Sequence, residues 1–389
     1  MNARSSVGLT VTAFLGISAF GLSAVVMGPL LPLIMEALKT GPEQIGIIFF
    51  WGNIGFQIVA VLGGNLADRY GCRPLVLTGL VLMTFGNFFC GRIDSLTGLV
   101  FAYGLVWMGC AMIPGQLTSL MVDLHPARRG MFVNMMHSFF GLGAILASAG
   151  TGLALLNGST WRQVYGWAAL FVLVVLLVAA TQSFPRSARE NHPFSIKSLL
   201  NPAFFTLLGM MIAYGGIELC MTNWICLFMQ KEAGLTVFWS SLSLSFFWVA
   251  MVAGRLGSGM LVHRLGEKRL VVILGCGGLV SLLMATLSPW PVLNVAGVTL
   301  TGLFCGGIFP CVMSLGAHRF PSQAGTVLGV LVAGTGTGAM IFPPLAGALS
   351  VSLTLRGALA VMSALFLPIL LGIWKLSRDE SKAKPEMSH

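Results

Sequence analysis

Twelve times between residues 8 and 376 the sequence runs through about twenty or more residues that are almost free of charge. The approximate runs are 8–36, 44–68, 74–92, 96–121, 130–155, 163–183, 204–230, 236–262, 269–288, 291–315, 324–350 and 355–376. A helix needs about 20 apolar residues to cross the hydrocarbon core of a bilayer. Backbone polar groups find no water in lipid, so such segments fold as helices that satisfy their own N–H and C=O groups. Composition excludes a soluble alternative. Only 9% of the 389 residues are charged and 56% are hydrophobic, whereas a soluble domain covers itself with roughly a quarter charged residues. The first run is too long for a signal-peptide core and is expected to be the first span.

The formal charge of +10 would suggest nucleic acid in a soluble protein. In a membrane chain it records Lys and Arg kept in cytoplasmic loops. With the N-terminus inside, sixteen of the 22 Lys and Arg fall in cytoplasmic segments and five on the opposite side, with Arg255 inside a span. Both termini are therefore expected in the cytoplasm, in a bacterial inner membrane. The eight cysteines lie singly and mostly in apolar runs. No CxxC pair or His/Cys cluster suggests a metal or disulfide, and buried small hydrophobes are the expectation.

The chain repeats itself. The stretch 66-LADRYGCR-73 aligns with 261-LVHRLGEK-268 at an offset of 195, and the same offset aligns 141-GLGAIL-146 with 336-GTGAMI-341, Pro126 with Pro321, and Gly130 with Gly325. The organisation expected is all-α, with twelve transmembrane helices in two pseudo-symmetric six-helix halves. These are 1–184 and 204–377, joined by a cytoplasmic linker at 185–203 and followed by a tail at 378–389. Duplicated halves are the usual build of secondary transporters, with the site near the midplane.

The run 63-GGNLADRYGCR-73 resembles the signature loop of the major facilitator superfamily, a resemblance that covers nearly the whole chain. The stretches 134-NMMHSFFGLGAI-145, 218-ELCMTNW-224, 254-GRLGSG-259 and 309-FPCVMSLGAHRFP-321 resemble the fucose/glucose/galactose–proton symporter branch and its glucose-transporter-like relatives. The resemblance implies the major facilitator fold and sugar transport, with a latch at the signature loop (Asp68, Arg69 and Arg73) that Arg128 or Arg129 would partner. It also implies carboxylates in spans 1 and 4, a glutamine at His137 and an asparagine at Phe140. Here span 1 has no acid before Glu36, and Met112 stands where the span 4 acid would fall. In the second half His263 and His318 replace Asp68 and Asp123, so the acid-based latch is expected only in the first.

Of twelve acidic residues, Glu218 alone lies deep in a span. A charge at that depth costs a few kcal/mol unless it is paired, hydrated or protonated. Tyr214, Glu218 and Thr222 share one helix face. Asn223 and Trp224 lie off that face unless Gly215-Gly216 loosens the turn. Span 5 offers Asn134, His137 and Ser138 on one face, and imidazole titrates near neutrality. Asn53, Gln57 and Gln116 are amides able to donate and accept to a hydroxyl-rich solute. Trp224, Trp248, Trp107 and Trp51 suit stacking, anchoring or packing alike. Arg255 either pairs with carbonyls near the cytoplasmic end or attracts an anion.

These features point to an alternating-access carrier of a small polar solute, a sugar first. Glu218 or His137 would couple it to H+, with Na+ or uncoupled diffusion as the other options. Exporters of lipophilic compounds and organic-anion carriers are the alternatives. An enzyme would want paired acids, a metal cluster or a nucleophile–base set, a receptor a soluble output domain, and direct ATP drive a P-loop. None is legible, and no cofactor is expected. A monomer in membrane lipid, without nucleic acid, completes the expectation.

Overall fold

The computed structural model describes residues 3–185 and 201–383, with a few side chains, Asp68 among them, outside that description. The expected linker lies outside the described residues except at its ends, as does the last part of the expected tail, 384–389.

In chain order the helices are α1 (Ala3–Val25), α2 (Met27–Leu38), α3 (Pro42–Tyr70), α4 (Cys72–Cys90), α5 (Leu96–Ala111), α6 (Pro114–Leu124) and α7 (Arg129–Leu156). They continue with α8 (Trp161–Ala180), α9 (Pro202–Lys231), α10 (Val237–Leu265), α11 (Glu267–Leu287), α12 (Pro291–Arg319), α13 (Ala324–Met362) and α14 (Phe366–Ala383). No strand occurs among the described residues. Pro114 opens α6 at a first-turn position, where its missing N–H costs nothing, and so splits the expected span 4 into α5 and α6.

Ten helical segments among the described residues are long and apolar enough to cross a membrane, where the sequence leads one to expect twelve. The last of them, Thr326–Arg378, holds 53 residues and takes in the eleventh and twelfth expected spans. Thr354, at φ 60 and ψ 166, breaks the helix between them. Helix α3 coincides with the second expected span at 29 residues and is not among the ten.

The repeat is written into the backbone. Gly71 (φ 82) precedes α4 and Gly266 (φ 74) precedes α11, 195 residues apart. Both angles lie where a Cβ is disfavoured, so glycine recurs at both turns. His125 (φ −129, ψ 56) and Phe320 (φ −127, ψ 58) match at the same spacing, each followed by a one-turn helix that starts at Pro126 or Pro321. Packing repeats as well. A Cβ on Gly143 of α7 would stand 2.0 Å from the Ser18 carbonyl of α1, and one on Gly338 of α13 would stand 1.9 Å from the Ile212 carbonyl of α9. Bare glycine lets the two backbones touch.

Packing divides the chain into two compact units, Met1–Asn191 with Thr222–Ser245, and His192–Met221 with Phe246–His389. The first therefore holds α1–α8 together with the C-terminal turns of α9 and the N-terminal turns of α10. There Ser148 and Ser245 share a 2.8 Å hydroxyl contact, and the Trp224 ring packs edge-on to Phe49 at 5.4 Å. The second holds the rest of α9 and α10 with α11–α14. Six of the eight cysteines are buried, Cys72 is half-buried and Cys276 is exposed.

Candidate functional site

Helix α9 runs unbroken from Pro202 to Lys231, so of the two readings the regular helix holds and Gly215-Gly216 do not loosen it. Those glycines serve close approach: a Cβ on Gly215 would stand 2.1 Å from the Thr335 carbonyl, and one on Gly216 would stand 2.3 Å from the Phe342 ring. In a regular helix Asn223 and Trp224 stay off the face that carries Tyr214, Glu218 and Thr222.

Glu218 is half-buried within an otherwise closely packed stretch of α9. The Tyr214 hydroxyl one turn before it is buried without a hydrogen-bond partner, and the Arg255 guanidinium of α10 lies within its electrostatic reach. Cys305 of α12 lies within the field of the same carboxylate. The Tyr214 ring packs 5.8 Å from Phe309. Among the described residues the Arg255 guanidinium makes a single hydrogen bond, Nε donating to the Gly306 carbonyl at 3.4 Å. Gly306 permits this, since a Cβ there would stand 2.2 Å from the Met251 carbonyl and 2.8 Å from the Arg255 nitrogen. All these groups belong to the second unit. Read separately in the sequence, the deep acid and the intramembrane cation belong to one compact unit. Their 37-residue separation hid this, because no local periodicity connects α9 to α10.

In the first unit the expected residues divide into two groups. Asn53 is buried and its amide donates to the Phe49 carbonyl at 2.9 Å. Phe49 links Trp224 to Tyr103 (6.1 Å), and Tyr103 packs against Trp107 (6.0 Å), which Phe56 meets at 5.8 Å. Gln57 is half-buried on the same helix, Gln116 is buried on α6, and Thr222 is buried on α9. Asn223 is 1% exposed, and neither its amide nitrogen nor its oxygen has a hydrogen-bond partner. Such a group is costly unless water or a ligand completes it. Trp51, at 52% exposure, stands at the periphery, and Trp248, which belongs to the second unit, is buried.

The second group is on α7. Thr118 donates its proton to the Pro114 carbonyl at 2.7 Å, so His137, 3.2 Å from the same hydroxyl, uses Nε2 as donor. Ser138 spends its hydroxyl on the Asn134 carbonyl, and Asn134 is exposed.

At the signature loop, Arg73 donates to the Ala180 carbonyl at the end of α8 (3.0 Å), where the helix dipole favours a cation. Arg69 lies over the Tyr70 ring at 5.3 Å, and Arg128 and Arg129 are exposed. The Asp68 side chain lies outside the described residues. The repeat-related turn in the second half carries its own acid: Glu267 accepts from the Ser314 hydroxyl and stands 3.3 Å from His318 Nδ1. Aligning His263 with Asp68 missed it, since the carboxylate has moved to the first turn of α11. The signal was present in Glu267 beside the turn glycine.

Residues 13–297, and again 258–388, match the family model described as Major Facilitator Superfamily. The chain is 27% identical over 380 residues to the 3-(3-hydroxy-phenyl)propionate transporter of Escherichia coli (strain K12), covering 90% of this chain and 89% of that one. A 27% identical match over 210 residues to the uncharacterized transporter YebQ of the same organism covers 52% of this chain and 44% of that one, so less than half of that relative is spanned. The fold is shared with a mutant of the nucleoside transporter NupG, at TM-score 0.80 and 14% identity over 95% of this chain and 99% of that one. It is shared also with FucP in its outward conformation, at TM-score 0.67 and 18% identity over 95% and 99%. Signature loop, repeat, helical architecture and family match agree: the chain is an integral membrane protein and belongs to the Major Facilitator Superfamily of transporters.

Proposed function

We propose that this protein is a secondary transporter that carries a small polar solute by alternating access, with Glu218 as the group that couples transport to a proton. The observation that carries this reading is a half-buried carboxylate on the α9 face that also carries Tyr214, in the same compact unit as Arg255 of α10. A carboxylate at membrane depth is retained when it is paired or exchanges protons in the course of function. His137 is the second titratable candidate, its Nε2 meeting the Thr118 hydroxyl at 3.2 Å. The moving parts are the halves 1–184 and 204–377, joined through 185–203 and followed by the 378–389 tail. Asp68, Arg69 and Arg73 with Arg128 or Arg129 form the cytoplasmic latch. The chain works as a monomer in a bacterial inner membrane with both termini in the cytoplasm.

Two solute classes have specific support. The orphaned Asn223 amide, with Asn53, Gln57 and Gln116, suits the hydroxyls of a sugar, in line with the resemblance to the sugar–proton symporter branch. Arg255 suits an organic anion, and the relative of matching length is named for a propionate. Uptake into proteoliposomes with and without a pH gradient tests the coupling. Glu218→Gln should abolish accumulation above equilibrium and spare solute counterflow. Gradient-independent uptake by the wild type would remove Glu218 from this role, and Na+-driven uptake would reassign the ion.

A further inference from the structure

At one end of the second unit, where α10 and α12 finish and α11 starts, lies a cavity of about 570 Å³. Its wall comes from α9, the α10–α11 turn, α12 and α14, all within that unit. Leu207 and Leu376 are buried there, and Leu265 and Leu315 are half-buried, so the floor is apolar. Lys268, Arg269 and Arg319 line the same cavity, and among the described residues Glu267 is the one acid that does. Its carboxylate accepts from the Ser314 hydroxyl and lies 3.3 Å from His318 Nδ1, which engages it with α12. Three cations against one engaged acid leave the cavity positive.

Retention of Lys and Arg in cytoplasmic loops accounts for cations at helix ends, but it asks only that they reach water. The repeat shows something more. At the 195-residue offset Arg269 and Arg319 stand where the first half has Pro74 and Leu124, and His318 stands where it has Asp123. Lys268 matches Arg73, whose guanidinium is spent on the Ala180 carbonyl. Relative to its twin, the second half carries two more cations and one acid fewer at these positions, and they surround a cavity. Gly266, at φ 74, precedes α11 and has no side chain to cap it. The first turn of α11, which lines the cavity, therefore presents its N–H groups without a side-chain cap.

The setting favours lipid over a soluble anion. Helices α10, α11 and α12 are each long and apolar enough to cross a membrane, and the cavity lies where they end, at the level of headgroups. A second cavity, of about 590 Å³, is lined by Pro202, Phe205, Thr206 and Lys375, neighbouring positions on α9 and α14. There Phe205 is 56% exposed. Trp374, beside Lys375, is exposed with the Arg378 guanidinium over its ring at 5.4 Å. Exposed aromatic rings among cations mark the boundary between water and hydrocarbon, and basic pockets between membrane helices suit anionic headgroups.

We propose that this cavity binds the headgroup of an anionic glycerophospholipid. Lys268, Arg269 and Arg319 hold its phosphodiester together with the first-turn N–H groups of α11, and its acyl chains lie along α9 and α14 beside Phe205. Such a lipid ties the ends of four helices together and stabilises the folded chain by mass action.

The test is native mass spectrometry and thermal unfolding of the purified full-length chain in detergent, titrated with phosphatidylglycerol, phosphatidylcholine or inorganic phosphate. Phosphatidylglycerol should bind about tenfold more tightly than phosphatidylcholine and raise the unfolding temperature. Lys268→Gln combined with Arg319→Gln should weaken it about tenfold or more, and Arg269→Gln about fivefold. Arg269 is exposed, so its single variant carries the test should the double variant fail to fold. Arg264→Gln removes a charge from the same end outside the cavity and should keep the affinity within about twofold. Equal binding of phosphatidylcholine would overturn the proposal, as would full affinity in the lining variants. A loss at Arg264 as large as that at Arg269 would reduce the site to diffuse surface charge. Inorganic phosphate that displaces phosphatidylglycerol and depends on the same residues would sink the lipid assignment in favour of a soluble anion.

Discussion

Asn223 holds a whole amide inside the protein with no partner for its nitrogen or its oxygen. An unsatisfied buried polar group costs about 1–3 kcal/mol, and replacing it with an apolar side chain of similar size recovers part of that. Asn223→Leu should therefore raise the stability of the ligand-free protein by about 1 kcal/mol, read from thermal unfolding in detergent. The same change should weaken solute binding. A stabilised variant with unaltered binding would make Asn223 a packing residue only. The position was legible as a candidate, but its isolation was not, because a sequence does not say which amides find partners. His125 was not legible as a site residue at all. Its Nε2 donates to Thr10, 2.9 Å away, since Thr10 gives its own proton to the Ser6 carbonyl, and its ring stacks on Phe132 at 3.5 Å. Burial holds this imidazole below its ordinary value of 6.5. The folded state thus takes the proton at lower pH than the unfolded chain, so the contribution is present above 6.5 and lost as pH falls through the folded value. His125→Gln should flatten the fall in unfolding temperature between neutral and mildly acid pH. An unchanged slope would place the acid sensitivity elsewhere.

At the scale of elements, the helix pairs α1–α7 and α9–α13 rest on glycines where a methyl group would enter a neighbouring carbonyl. Overpacking of this kind costs about 1–3 kcal/mol. Gly338→Ala and Gly143→Ala should each lower stability by that order, measured as loss of unfolding temperature. Gly150→Ala, with nothing within 4 Å of its added Cβ, should be close to neutral. Equal effects at all three sites would mean that helix propensity, rather than close approach, sets the outcome. Element boundaries were legible wherever a local rule acts alone, as at Pro114, Pro126 and Gly71. The break at Thr354, a non-glycine residue at φ 60, falls in the gap between the last two apolar runs of the sequence.

At the scale of the molecule, the first unit takes in Thr222–Ser245 as well as the N-terminal residues. A fragment ending at Asn191 lacks the Ser245 hydroxyl that meets Ser148 and the Trp224 ring that covers Phe49. Expressed alone it should unfold at lower temperature than the full chain, and co-expression with 192–389 should restore the difference in fluorescence-detected chromatography. A fragment as stable as the whole would make those contacts incidental. The sequence by itself determined that this chain lives in a membrane as helices and is built twice over from one plan. Length of apolar run, scarcity of charge and the 195-residue offset are one-dimensional properties, read without knowing what touches what. Only the tertiary structure decided that the deep carboxylate of α9 and the guanidinium of α10 fall in one compact unit, and that the Asn223 amide is sealed without a partner. Charge compensation and hydrogen-bond satisfaction depend on distances between side chains, and in a helical bundle those are set by packing between segments.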